Sequence, residues 1–326
     1  MFHNKDLSSY TFLVTGGAGF IGSHIVEYLI KNGAKKVKIL DNLLTGNYEN
    51  IKPFENAPNF EFIEGDITQM DTCSKACKGV DFISHQAALG SVPRSIKDPS
   101  RSNLINVSGY LNMLVAANEA GVKRVVYASS SSVYGDEPNL PKVEERIGKQ
   151  LSPYAVTKYT NELYAHVFAN TYGMQIIGLR YFNSFGSRQD PNGPYAAVIP
   201  LFVDKILKGE KVNIDGDGEQ TRDFTYVDNA VQANIRAMLT DNEAAVNQVY
   251  NIAVGENFSV NYMYNLIQKY LNIYIEPNHR EARKGDIRNS LADITKAKTL
   301  LGYDPQYRFE EGLKNTVEHF KVKFGY

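Results

Sequence analysis

The chain has 326 residues, 43% of them hydrophobic and 22% charged, with a formal net charge of −1. That length accommodates one large core and a second, smaller one, and the near-neutral balance excludes an electrostatic binder of nucleic acid or membrane surfaces. No apolar run approaches a membrane span, and the N-terminal MFHNKDLSSYTFLVTGG lacks the basic-then-apolar order of a signal peptide, so the cytoplasm is the expected compartment.

In chain order, apolar strand-like runs alternate with longer amphipathic segments. The runs are TFLVT (11–15), VKIL (37–40), FEFIE (60–64), DFISH (81–85), RVVYAS (124–129) and QIIGLRYF (175–182), and helical patterns fall at about 20–32, 68–78, 98–120 and 153–172. Near-continuous apolar strands separated by helices predict a parallel sheet covered on both faces, a doubly wound α/β (Rossmann) domain. After about residue 183 the rhythm breaks. Turn-forming residues cluster in SRQDPNGPY and IDGDGEQTRD, a helix pattern returns at 226–240, and QVYNIAV (248–254) reads as a late strand of the same sheet. The expected division is a dinucleotide-binding domain of residues 1–182 plus about 224–257, and a smaller C-terminal α/β domain of about 183–223 plus 258–326.

The two cysteines, Cys73 and Cys77, stand one helical turn apart with no second Cys or His pair nearby, so buried thiols are expected and no zinc site. The acidic run from Asp215 to Glu219 is not a calcium loop: its sixth position is Gln220 and its twelfth Tyr226, where Gly and Glu are required.

The first strand ends in Thr15 and runs into Gly16, Gly19 and Gly22, a G-x-x-G-x-x-G spacing placed between strand and helix. Glycines there allow the tight turn and the approach of a pyrophosphate to backbone N–H groups, and the helix N-terminus favours the phosphate charge. Asp41 closes the second strand and can accept both ribose hydroxyls of an adenosine, and residues 42–51 hold no Arg or Lys for a 2′-phosphate, so NAD is favoured over NADP. Asp66 and Ile67 follow the third strand, where the adenine would lie. Gln86, Ala87 and Ala88 follow the fourth and would pass the middle of the cofactor, while the neighbouring His85 reads as structural.

In SPYAVTK, Pro153 suits the first turn of a helix, which puts Tyr154 and Lys158 on one face at i, i+4. A phenol is a poor base at neutral pH, but a nearby ammonium and a positive nicotinamide favour phenolate. Such a pair can take the proton of an alcohol while hydride leaves to NAD. Alone, Y-x-x-x-K is commonly a surface pair. Here the serine run YASSSSVYG lies 24 residues earlier and a dinucleotide loop lies upstream.

TGGAGFIG, the SSSSVYG run, SPYAVTK and LRYFNSFG together resemble the extended short-chain dehydrogenases/reductases, and within them the UDP-sugar 4-epimerases. GSVPRSI, RQDPNGPYAAVIP and GDIRNSLAD are similar to the UDP-N-acetylhexosamine members more than to the UDP-galactose ones. The resemblance implies a catalytic set of Ser130, Tyr154 and Lys158, with a UDP-sugar as substrate and NAD as cofactor. It adds Phe20, Ile21, Asn42, Asn106, Tyr181 and Phe182 to the cofactor contacts. On the substrate side it implies Asn183 at the diphosphate and sugar, Ala197 and Val198 at the uridine, and Arg222 and Arg283 clamping the diphosphate. Small residues at Ser290, Gly90 and Ser91 would leave room for an N-acetyl group at C2. If the extended backbone continues past the strand, Ser132 joins Ser130 on the substrate side, Ser131 faces away and Ser129 packs or caps.

One departure carries information. Related dehydratases follow the catalytic hydroxyl with Asp-Glu acids, and this chain has Ser131 and Ser132 there, which argues against water loss. A UDP-sugar decarboxylase and a non-catalytic NAD-binding protein stay open as alternatives, as does a uronic-acid substrate. The family usually forms homodimers through two helices per subunit, which points to 98–120 and 153–172.

Overall fold

In the computed structural model, which describes residues 1–191, 197–282 and 288–326, seven strands form one parallel sheet. They are β1 Thr11–Thr15, β2 Lys36–Asp41, β3 Phe60–Glu64, β4 Phe82–His85, β5 Arg124–Ser130, β6 Ile176–Tyr181 and β7 Val249–Ile252. Their order across the sheet is β7-β6-β5-β4-β1-β2-β3, and every pairing is parallel. Chain direction across the sheet reverses between β1 and β4, which opens a crevice at the carboxyl ends of those strands, where doubly wound sheets bind ligands.

Helices cover both faces. On one side lie α1 (Phe20–Lys31) and a later helix, Val227–Leu239, whose Val231, Ile235 and Met238 share a core with Phe12, Val14 and Ile39. On the other lie α2 (Met70–Cys77), α3 (Gly109–Glu119) and α4 (Pro153–Tyr172), which bury Cys73, Met113 and Phe168 against Leu13, Ile83 and Val125. The patterns 153–172 and 98–120 differ in regularity. The first is one helix, begun by Ser152 Oγ accepting from Ala155 N at 3.2 Å and ended by Gly173 at φ +68°. The second is broken into Pro99–Asn103, a π-helical Leu104–Ser108 and α3.

A third core gathers Phe202 and Ile206 of α5 (Val198–Leu207), Ile267 of α7 (Val260–Leu271) and Phe320 of α8 (Phe309–Lys323) around Phe185 and Phe224 of the connecting segments; Val227–Leu239, α6 in chain order, packs on the sheet instead. The stretch Ala292–Tyr303 departs from the division drawn on the sequence: Ala292, Ile294, Ala297, Leu301 and Tyr303 pack in the core of the sheet, not in the third core. Among the described residues no helix is long and apolar enough to cross a membrane. Cys73 and Cys77 are buried and free, and burial pushes both thiols up to about 12, so they stay protonated and unreactive.

Candidate active site

The crevice between β1 and β4 is a groove of about 490 Å³. Gly16, Gly19, Phe20, Ile21 and Gly22 form its floor, and the glycines are sterically required. Gly16 sits at φ +66°, and a Cβ there would lie 2.6 Å from the Ala87 nitrogen. One on Gly22 would lie 2.2 Å from the Gly16 oxygen. The helix α1 begins at Gly19 with no side-chain cap, which leaves its first N–H groups for an anion.

Asp41 stands at the end of β2 with its carboxylate held by Ala18 N at 3.0 Å and Leu43 N at 2.8 Å, and burial raises its pKa. A Cβ on Gly46 would lie 2.9 Å from both carboxylate oxygens, so only glycine leaves that carboxylate accessible. Asn42 donates to Asp66 at 2.8 Å across the groove, and Ile67, Gln86, Ala87 and Ala88 complete this wall. The cradle of glycines, the uncapped helix and the paired acids fit an adenine dinucleotide. His85 is structural: it is buried, its Nδ1 lies 2.9 Å from Thr15 Oγ1, and burial lowers its pKa to about 3.

Ser130, Tyr154, Lys158 and Tyr181 close the other end of the groove. Lys158 Nζ donates to the Ala128 carbonyl at 2.8 Å and lies 5.9 Å from the centre of the Tyr154 ring. Burial lowers the ammonium to about 8. Burial raises the pKa of the Tyr154 phenol, outweighing the pull of the Ser130 hydroxyl beside it. In the chain alone, then, Lys158 does not suffice to favour phenolate.

Two further cavities adjoin this end. One, of about 520 Å³, is lined by Asn183, Ala197, Val198 and Arg222, together with Lys205 and Arg280, which no motif pointed to. The other, of about 450 Å³, is lined by Ser131, Ser132, Phe182, Asn183, Arg222 and Ser290. Arg222 and Asn183 line both. Arg283 lies outside the described residues.

Several expectations are corrected. The extended backbone does not continue past Ser130. It turns into a 3-10 helix, Ser131–Tyr134, whose start is capped by Ser130 Oγ accepting from Ser132 N at 3.2 Å. Strict alternation therefore fails, and Ser131 and Ser132 both line the 450 Å³ cavity. Phe182 also lines that cavity and not the cofactor groove. Gly90 and Ser91 line the groove instead of the sugar side, because Ser91 at φ +94° turns the chain and caps Val92–Lys97, leaving Val92 and Pro93 in the other cavity. Asn106 lines none of these three cavities: its amide oxygen accepts from Leu89 N at 2.7 Å and its NH₂ donates to Leu89 O at 3.2 Å and Thr157 Oγ1 at 3.1 Å, so it braces the groove from behind.

A buried network missed by the sequence reading holds two groove residues. Asn234 of α6 donates to the Tyr181 hydroxyl at 2.7 Å and accepts from Gln86 Nε2 at 3.0 Å, while Tyr181 donates to Gln86 Oε1 at 3.2 Å. An Asn on an amphipathic helix gives no sequence signal of such a role.

Comparison with known proteins agrees with this geometry. The NAD dependent epimerase/dehydratase family matches residues 12–253. The chain belongs to that family. Members of the family use NAD, and the groove described above is where this chain would hold it. The chain is 42% identical to a UDP-N-acetylglucosamine 4-epimerase from Methanobrevibacter ruminantium, solved with UDP-N-acetylmuramic acid, over 96% of this chain and 99% of that one, with a TM-score of 0.90. It is 39% identical to a UDP-glucose 4-epimerase from Thermotoga maritima, solved with UDP-glucose, over 96% and 99%, again at 0.90. A UDP-glucuronic acid 4-epimerase from Bacillus cereus, solved with UDP-glucuronic acid and NAD, is 32% identical over 96% and 98%, with a TM-score of 0.89.

Proposed function

We propose that this family member is an NAD-dependent UDP-hexose 4-epimerase acting on N-acetylated sugars such as UDP-GlcNAc and UDP-GalNAc. The observation that carries the reading is the meeting of Ser130, Tyr154 and Lys158 at the end of the dinucleotide groove, beside their chain neighbours Ser131 and Ala155 in the wall of the cavity holding Asn183, Arg222 and Ser290. NAD supplies the hydride acceptor and donor at the sugar's C4. Tyr154 takes the proton from O4 and returns it to that same oxygen once the 4-keto sugar has presented its other face for re-reduction, Ser130 hydrogen-bonds the same oxygen, and Lys158 stabilises the phenolate. The positive nicotinamide, together with Lys158, must reverse the upward shift that burial imposes on Tyr154. Arg222 can fork onto a diphosphate, which would hold the UDP end while the 4-keto sugar turns over in the larger cavity. Ser290 is small and partly exposed, which suits an N-acetyl group at C2.

A second reading has its own observation. Lys142 is buried in the wall of the sugar cavity, where its ammonium donates to the Glu137 carbonyl. A cation there would suit a 6-carboxylate, so the uronic acids of these sugars are the rival substrates.

We propose in addition a homodimer. Val156, Leu163 and Val167 are each about half exposed along α4, and Leu104 is half exposed on the neighbouring helical stretch. Apolar side chains at i, i+7 and i+11 form one stripe, as a helix-pair interface needs. The test of function is product analysis with UDP-GlcNAc, UDP-Glc and UDP-GlcNAcA side by side. An epimer of unchanged mass from the N-acetylated sugar is expected. Mass loss would mean a lyase or decarboxylase, and inactivity of the NAD-loaded protein on all three would overturn the enzymatic reading.

A further inference from the structure

Asp223 is fully buried and lines neither the cofactor groove nor the two cavities beside it, yet it adjoins or bonds the segments that carry Asn183, Arg222 and Ser290. Its Oδ1 accepts from Val254 N at 3.0 Å, and its Oδ2 from Gly255 N at 3.1 Å and Ala292 N at 3.2 Å. Its own carbonyl oxygen accepts from Asn183 Nδ2 at 3.0 Å. Val254 and Gly255 lie just beyond β7, Ala292 lies two residues after Ser290, and Arg222 directly precedes Asp223 in the chain.

We infer that Asp223 is a positioning residue for the nucleotide-sugar pocket, fixing Asn183, Arg222 and Ser290 relative to one another and to the end of the sheet. The inference rests on the UDP-sugar reading above. The Asn183 and Arg222 segments are joined by the short parallel pairing of Ser184–Phe185 with Thr225–Tyr226, and Ser290 comes from a third segment outside that pairing. Besides Asp223, the 288–290 and 221–223 segments are linked by Thr221 N to Arg288 O at 3.0 Å, Ser290 N to Thr221 O at 3.1 Å, Thr221 Oγ1 to Asn289 Oδ1 at 3.1 Å and Arg222 Nη1 to Arg288 O at 3.4 Å, all at partly or fully exposed residues. A bond at the rim competes with water, whereas one to a buried carboxylate does not. Three N–H donors converge on two oxygens, which an acid satisfies fully. An Asn in that place would turn its NH₂ toward at least one of them. Asn183 makes the dependence sharper. It sits at φ +34°, and its side-chain amide donates to the main-chain carbonyl of Asp223, so the anchoring that holds Asp223 in place also holds that acceptor.

The test uses full-length, NAD-loaded protein carrying Asp223→Asn or Asp223→Ser. UDP binding is measured by calorimetry, along with KM and kcat on the best UDP-hexose and the NAD content. The expected result is a rise of about tenfold or more in the UDP dissociation constant and in KM, with kcat within about threefold of wild type and NAD content unchanged. A folded variant whose UDP affinity stays within about twofold of wild type overturns the inference, since lost anchoring must appear there. Parallel losses of NAD, kcat and affinity also overturn it, because they would mark a residue of general stability. Failure of UDP to bind the wild-type holoenzyme would overturn both the inference and the function beneath it. Should neither variant fold, amide exchange on wild type decides. Slow exchange at Gly255 and Ala292, matching the strands of the sheet, supports the anchor, and fast exchange at either overturns it.

Discussion

Ser129 donates its hydroxyl to Glu162 Oε1 at 2.6 Å, and by doing so aims the next residue, Ser130, at the cofactor groove. Successive side chains of an extended strand point to opposite sides, so fixing one fixes the other. Glu162 is in turn gripped by Arg180, through Nε at 2.9 Å and Nη2 at 2.7 Å, in a fork that is nearly inaccessible to water. Arg180 also donates to the Glu144 carbonyl at 3.0 Å and lies 4.8 Å from the centre of the Tyr134 ring, so the serine run is braced from behind on both sides.

Breaking that buried pair from one side leaves an uncompensated charge. Glu162→Ala is expected to lower the unfolding free energy by about 3–5 kcal/mol, read from denaturant curves of the NAD-loaded protein. A change below about 1 kcal/mol, the scale of an exposed ion pair, would show that the pair is solvated after all.

The proton-transfer groups should separate from cofactor binding. Tyr154→Phe is expected to lower kcat by about 10²–10⁴-fold, and Ser130→Ala by less, with NAD content near wild type in the Ser130 variant. Single-turnover assays with the UDP-hexose, paired with NAD extraction and quantification, give both numbers. Loss of NAD from Ser130→Ala in proportion to its activity would remove Ser130 from the catalytic set.

Substrate choice should respond to bulk at Ser290, in the wall of the sugar cavity. Ser290→Tyr is expected to shift the ratio of kcat/KM for UDP-GlcNAc over UDP-Glc downward by about tenfold or more, a steric discrimination of ordinary size. An unchanged ratio would mean that the C2 substituent lies elsewhere.

The Asp223 carboxyl predicts a pH dependence of stability. Burial, opposed by the amides of Val254, Ala292 and Gly255, raises its pKa to about 7, with the negative charge of Glu256 adding to the rise. Tyr303, packed nearby and itself raised well above its usual value, is the other titratable neighbour. A raised acid binds its proton more tightly in the native state, so its contribution is fully present below about pH 4 and is lost as pH climbs toward 7. Wild type should therefore lose up to about 1.4 kcal/mol per pH unit across that window relative to Asp223→Asn, measured as a double difference between pH 5 and pH 7. Parallel curves for the two proteins would place the carboxyl's pKa near its unfolded value.

Much of this molecule was legible because its signals are local. A glycine spacing between a strand and a helix, an acid at the next strand end, and a Tyr–Lys pair one helical turn apart each depend on residues close in sequence, and strand periodicity gave the sheet. The seven parallel strands and the helix Pro153–Tyr172 agree with that reading. What it could not give was anything set by residues far apart in the chain. Nothing local says that the backbone folds into a 3-10 turn after Ser130, that Asn106 points away from the groove, or that Gly46 guards Asp41. Asn234 reaches Gln86 across 148 positions, and Asp223 reaches Ala292 across 69. Such partners are chosen by which polar groups become buried together and must then satisfy one another, a condition that exists only once the chain has folded. Residue types and their short spacings thus determined the glycine loop, the Tyr–Lys pair and the sheet, while burial in three dimensions decided which serine lines the cofactor groove, which asparagine braces it from behind, and which acid collects the amides of Val254, Gly255 and Ala292.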